Sequence, residues 1–193
     1  MKAKNGENST KKTDVKTVSK ECAYLAVFVA LTIAGQVCLA VIPGVEIVTV
    51  LFVSYAFIFG VRRGVTAGIA FSLLRQLIFG FYPAVLLLYL LYYSLLPSVF
   101  GLLGKKVKKP AKSLLWIVLT ACLCTVVFTM LDNLITIVWY GYTERAARAY
   151  FTASFTVMLP QVLCTAVSAA VLFLPLVRVF RLVKISKAAF LKE

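Results

Sequence analysis

From Cys22 to Ile42 the chain runs for 21 residues without a charged side chain. That is enough helix to cross a hydrocarbon slab roughly 30 Å thick at about 1.5 Å rise per residue. The stretch exceeds the apolar core of a cleavable signal, about 7–15 residues, and reads as a first membrane span that the mature protein keeps. Similar stretches recur down the chain. With 62% of its 193 residues hydrophobic and 15% charged, a water-soluble fold has no means of covering so much apolar surface. The expected fold is all-α: a compact bundle of six transmembrane helices with both termini cytoplasmic.

Turn signals set the boundaries. Pro43-Gly44-Val45-Glu46 follows the first span, and Ile47 to Gly60 gives a second. Val61-Arg62-Arg63-Gly64 turns into a third, Val65 to Phe81, and Pro83 precedes a fourth, Ala84 to Leu103. The block Gly104-Lys105-Lys106-Val107-Lys108-Lys109-Pro110 separates it from a fifth span, Leu114 to Tyr140, and the sixth covers Phe151 to Val177. Residues 1–20 carry six lysines among polar residues and are expected to form a disordered cytoplasmic arm. Residues 21–180 form the membrane domain, and 181–193 a basic cytoplasmic tail.

The second span is short for a crossing, and charge decides whether to count it. With six spans, every Lys and Arg except Arg75, Arg145 and Arg148 falls on one side, which the excess of positive charge in cytoplasmic loops makes the inner one. If the second span were a surface segment, Arg62, Arg63 and the lysine block would move outside. The same distribution argues against nucleic acid as a partner despite a net charge of +14, because the cations sit in short blocks between apolar segments.

Catalytic chemistry has little to work with. Histidine is absent, removing the commonest general base and metal ligand. The five cysteines (Cys22, Cys38, Cys122, Cys124 and Cys164) lie within or at the ends of apolar stretches and suggest neither a disulfide framework nor a metal site. Gly104-Lys105 is not a phosphate-binding loop, because Val99 stands where its first glycine belongs and Lys106 where Ser or Thr belongs. No enzyme activity and no cofactor are expected.

Charged side chains inside a span cost roughly 2.5–3.5 kcal/mol each on insertion scales, so they face a partner or a wet cavity. Arg75 lies about 9 Å below the outer end of span three and Asp132 about 10 Å below that of span five, at one depth. Thr125, Thr129, Thr136 and Trp139 share a helical face with Asp132, and Asn133 stands beside it. Gln161, Thr165 and Ser168 come from span six. Convergent polar groups in an apolar bundle suit a small polar ligand; the alternative is an Arg75–Asp132 ion pair that locks two helices.

Glu46, the segment Phe79-Gly80-Phe81-Tyr82 and the segment Trp139 to Tyr150 supply outer loops for a lid, or else interface aromatics and solvated charge. The candidate substrate-binding set is thus Arg75, Asp132, Asn133, Thr129, Thr136, Trp139, Glu46, Tyr82 and Gln161. On span one, Ala26, Ala30 and Ala34 form a small-residue stripe that lets another helix approach, either within the bundle or from a partner. Gly60, Gly64 and Gly68 mark a hairpin with close backbone approach.

The basic N-terminus, Ala26-x-x-x-Ala30, Ile42-Pro43-Gly44-Val45-Glu46 and Phe59-Gly60-Val61-Arg62-Arg63-Gly64 together resemble the substrate-binding S components of energy-coupling factor (ECF) vitamin transporters. The resemblance covers residues 20 to about 180. It implies a bacterial plasma-membrane protein that captures a vitamin or related micronutrient near the outer face, then docks on a transmembrane T component and topples to release it inside. Two separate ATPase subunits drive that cycle, and Ala26 and Ala30 match the motif that contacts the T component, with Ala34 one turn further. Two other readings remain at this stage, a membrane scaffold or assembly protein and a stand-alone secondary transporter.

Overall fold

The computed structural model describes residues 2–39, 47–107 and 109–190, with side chains from residue 18 to residue 185. Among the described residues every element is a helix: α1 (Lys2–Leu39), α2 (Val48–Phe59), α3 (Val61–Phe79), α4 (Pro83–Lys106), α5 (Leu114–Tyr140) and α6 (Glu144–Phe190). Glu46 and the Ile42 to Val45 segment lie outside the described residues.

The six expected helices are present, but they are not six equivalent spans. Four are long and apolar enough to cross a membrane: Val18–Leu39 of α1, α4, α5, and Glu144–Ile185 of α6. This is the architecture of a helical membrane protein. Helix α2 has 12 residues, about 18 Å of helix, and α3 carries Arg62, Arg63 and Arg75.

The sequence of α2 is apolar on every side, and a helix of that kind belongs in an interior. Its residues Val48 to Ile58 are all buried, and it packs against α4 and α6 with α3 alongside. Phe52 on it and Phe71, Phe100 and Phe173 around it have no exposed surface. Rings interlock there, with Phe52 and Tyr93 centroids 4.7 Å apart and those of Phe71 and Tyr93 4.9 Å apart. Tyr89, Tyr92 and Tyr93 therefore sit in the core rather than in an interface belt, because α4 turns that face onto α2 and α3.

The tight α3–α4 contact has a chemical cause. Pro97 has no N–H to offer the Tyr93 carbonyl one turn earlier, and α3 presents glycine at both places. A Cβ on Gly68 would lie 2.0 Å from Tyr93 O, and one on Gly64 2.7 Å from Pro97 Cβ. Gly60, at φ +85°, reverses the chain between α2 and α3 in a conformation that costs a side-chain-bearing residue far more.

Antiparallel neighbours give the bundle two distinct ends. At the arginine-pair end, Arg63 bonds Glu21 at 2.5 Å, and Lys184 of α6 donates to Ile58 O, a C-terminal carbonyl of α2, at 2.8 Å. At the opposite end lie the α3–α4 and α5–α6 turns, the latter only residues 141–143.

Two boundary expectations change. Residues 2–20 are helical and continuous with α1 rather than a disordered arm, and α6 runs on through most of the basic tail to Phe190. Lys, Ala and Leu in the C-terminal segment are good helix formers, the N-terminal segment shares only its lysines and one alanine, and neither contains proline.

Candidate functional site

Helices α5 and α6 are joined by a ladder of polar contacts that ends in a cavity. Deepest is Thr125, whose hydroxyl lies 3.1 Å from that of Thr165, both buried. Towards the turn, Asn133 Nδ2 donates to Ser154 Oγ at 2.7 Å, and the Tyr150 hydroxyl donates to Asp132 Oδ2 at 3.2 Å. Thr136 lies beside both Asp132 and Tyr150. A buried polar atom left without a partner is costly, and Asn133 Oδ1 is one: Asn133 is 2% exposed and that oxygen accepts no hydrogen bond among the described residues.

The cavity has a volume of about 350 Å3 and is lined by Phe128, Thr129, Asp132, Tyr150, Ser154 and Gln161, together with Ala153 and Val157. It lies within the range of small-molecule sites, about 300–1,000 Å3. One carboxylate, hydroxyl groups, an amide and the ring of Phe128 give it the means to hold a small ligand that donates hydrogen bonds and offers an apolar face. No group of His, Cys, Asp and Glu among the described residues is placed to hold a metal.

Arg75 is elsewhere. Its Nε donates to Gln36 Oε1 on α1 at 3.2 Å, and its guanidinium lies over the rings of Tyr89 and Phe79, 4.2 and 4.7 Å from their centroids. It forms no ion pair with Asp132, and it does not line the cavity. Both the shared hollow and the locking ion pair anticipated from their common depth are thereby corrected. Equal depth placed the two charges at one level, but α3 turns Arg75 towards α1 and α4 while α5 turns Asp132 towards α6. A single aromatic contact separates them, Tyr89 against Phe128 with centroids 5.9 Å apart.

The other sequence candidates divide. Asp132, Thr129 and Gln161 line the cavity, while Asn133 and Thr136 back it. Trp139 and Tyr82 are exposed and take no part in it. Tyr82 contributes through its backbone, whose N–H donates to Gln76 Oε1 at 3.3 Å and ties the α3–α4 turn to α3. The expected outer lid between Trp139 and Tyr150 is mostly helix, divided between α5 and α6, and Glu144 pairs with Arg148 on an exposed turn. Tyr150 and Ser154 were missed as site residues, although Tyr150, Ser154, Gln161, Thr165 and Ser168 follow helical spacing.

Ala26, Ala30 and Ala34 lie on the exposed face of α1, whereas Phe28, Val29, Thr32 and Ile33 face the core. Among the described residues, therefore, the stripe is left exposed rather than packed within the bundle.

A scan against protein-family models, a search of curated proteins and a search of solved structures each find no match for this chain.

Proposed function

We propose that this chain is the substrate-binding subunit of an ECF-type importer in a bacterial plasma membrane, crossing it six times with both termini inside. It captures a small polar micronutrient at the outer face and delivers it inward with a T component and two ATPase subunits. The observation that carries the binding role is the Asp132 cavity. An acidic group, a phenol and an amide converge on an open space between two long apolar helices. Polarity at that depth is expensive, and a ligand gives it a use.

The exposed alanine stripe supports docking to a second membrane protein, because small side chains permit close helix approach. Co-expression with a T component and its ATPases tests the assignment. Ala30→Leu is expected to weaken co-purification while leaving ligand retention intact. An undiminished complex would remove the docking role.

One observation favours a second reading. The Asn133–Ser154 and Asp132–Tyr150 contacts also stitch α5 to α6, as a scaffold would need. In a scaffold, removing Asp132 lowers stability and changes no small-molecule content.

A further inference from the structure

A second cavity is larger than the one at Asp132. It is a cleft of about 500 Å3 at the arginine-pair end, between α1, the end of α2, the start of α3 and the C-terminal part of α6. Its walls are Leu25, Phe28, Tyr55, Phe59, Phe180 and Val183. Phe28 and Tyr55 stack at 3.9 Å, and both meet the edge of Phe180. Along α1 the lining extends from Val18 to Leu31, about 20 Å of helix, more than the thickness of one leaflet's hydrocarbon, roughly 15 Å. Val27 and Leu31, on its open side, are 68% and 56% exposed. The cleft is thus long, narrow, apolar and open laterally.

Its mouth is charged. Arg63 is engaged by Glu21, but Arg62 lines the same cleft with its side chain exposed and bonded to none of the described residues; only its carbonyl is engaged, by the Thr66 hydroxyl. Arg178, Arg181 and Lys184 stand exposed on the neighbouring stretch of α6, and Glu21 is the one acidic residue at this end among residues 18–185, whose side chains the structure describes. A basic mouth above an apolar slot one leaflet deep complements an amphiphile with an anionic head and a hydrocarbon chain.

We infer that this cleft is a specific binding site for an anionic phospholipid, with the headgroup phosphate on Arg62 and one acyl chain lying along α1 between Tyr55 and Phe180. The site is separate from the Asp132 cavity and does not depend on what that cavity binds. A lipid seated there fills the cleft between α1 and the rest of the bundle.

The test uses the full chain, purified and stripped of lipid, then offered phosphatidylglycerol or phosphatidylcholine with identical acyl chains, with bound lipid counted by native mass spectrometry. The wild type is expected to retain one phosphatidylglycerol with roughly fivefold preference, the increment expected from one basic residue near a headgroup. Arg62→Gln should bring the preference close to parity, whereas Lys112→Gln, a cation at the same end outside the cleft, should leave it unchanged. Val27→Trp, at an exposed position whose substitution does not disturb the core, should block retention of both lipids. Equal retention of the two lipids by wild type overturns the inference. So does equal loss in the Arg62 and Lys112 variants, which would indicate a diffuse basic field, or unchanged retention in the Val27 variant. A polypeptide co-purifying in the lipid's place and released by Val27→Trp overturns it as well.

Discussion

Tyr150 donates its hydroxyl to Asp132 across the α5–α6 interface at 3.2 Å, so the carboxylate that sequence reasoning paired with an arginine is held by a phenol instead. The consequence is electrostatic. A neighbouring guanidinium would neutralise Asp132, whereas a phenol only orients it, leaving the carboxylate available to a donor group or positive charge on a ligand.

Arg75 and Asp132 should therefore respond independently to mutation. Arg75→Gln is expected to leave ligand affinity within about twofold, because sites without shared partners act separately. It should lower stability by about 1–2 kcal/mol through loss of the aromatic contacts and the bond to Gln36. Ligand titration beside thermal unfolding in detergent checks this; a large loss of affinity with unchanged stability would return Arg75 to the binding site.

Asn133 tests whether polarity between α5 and α6 is maintained at a cost. Its Oδ1 is buried without a partner, and Ser154 keeps its own bond to Phe151 O when Asn133 is removed. Asn133→Leu, similar in size, should raise the melting temperature of the ligand-free protein, since an unsatisfied buried group costs about 1–3 kcal/mol. A marked fall would show Asn133 to be a structural fastener.

Close helix approach gives a third expectation. Gly68→Ala would place a methyl group against the Tyr93 carbonyl, 2.0 Å away without movement. A loss of about 1–3 kcal/mol is expected from overpacking, read as a lower melting temperature. Ala34→Leu, on the exposed face and with a good helix former, should change the same measurement far less.

Topology can be read directly. Single cysteines introduced at Lys109 and Thr143 in a chain stripped of its own cysteines should react with an impermeant maleimide from opposite sides. Lys109 should be protected in intact cells and Thr143 labelled. Labelling of both from outside would refute six crossings with internal termini.

Level along the bundle was legible in the sequence, as the Tyr89–Phe128 contact between the two sites shows; direction around the bundle was not. Counting residues from turn signals placed Arg75 and Asp132 at one level, and helical spacing placed Thr129 and Asn133 on the Asp132 side. Which helices become neighbours depends on packing that no single span encodes, so Arg75 was matched to the wrong partner. The aromatic run at Tyr89, Tyr92 and Tyr93 is ambiguous for a similar reason: the same residues suit an interface or a core, and the arrival of α2 decides for the core. The polar face of α6 from Tyr150 to Ser168 was readable by period, yet its first two members lay beyond the span boundary or carried no charge to draw notice.

The binding role of the Asp132 cavity is tested most directly by mass spectrometry of small molecules released from gently purified wild-type protein and, in parallel, from Asp132→Asn. The wild type should yield one small polar compound at close to one per chain. The variant, folded to the same melting temperature within a few degrees, should yield at least about tenfold less, because a hydrogen bond to a charged group contributes about 1.5–3 kcal/mol. Equal yields from the two proteins, or lipid and detergent alone from both, would contradict a ligand site between α5 and α6.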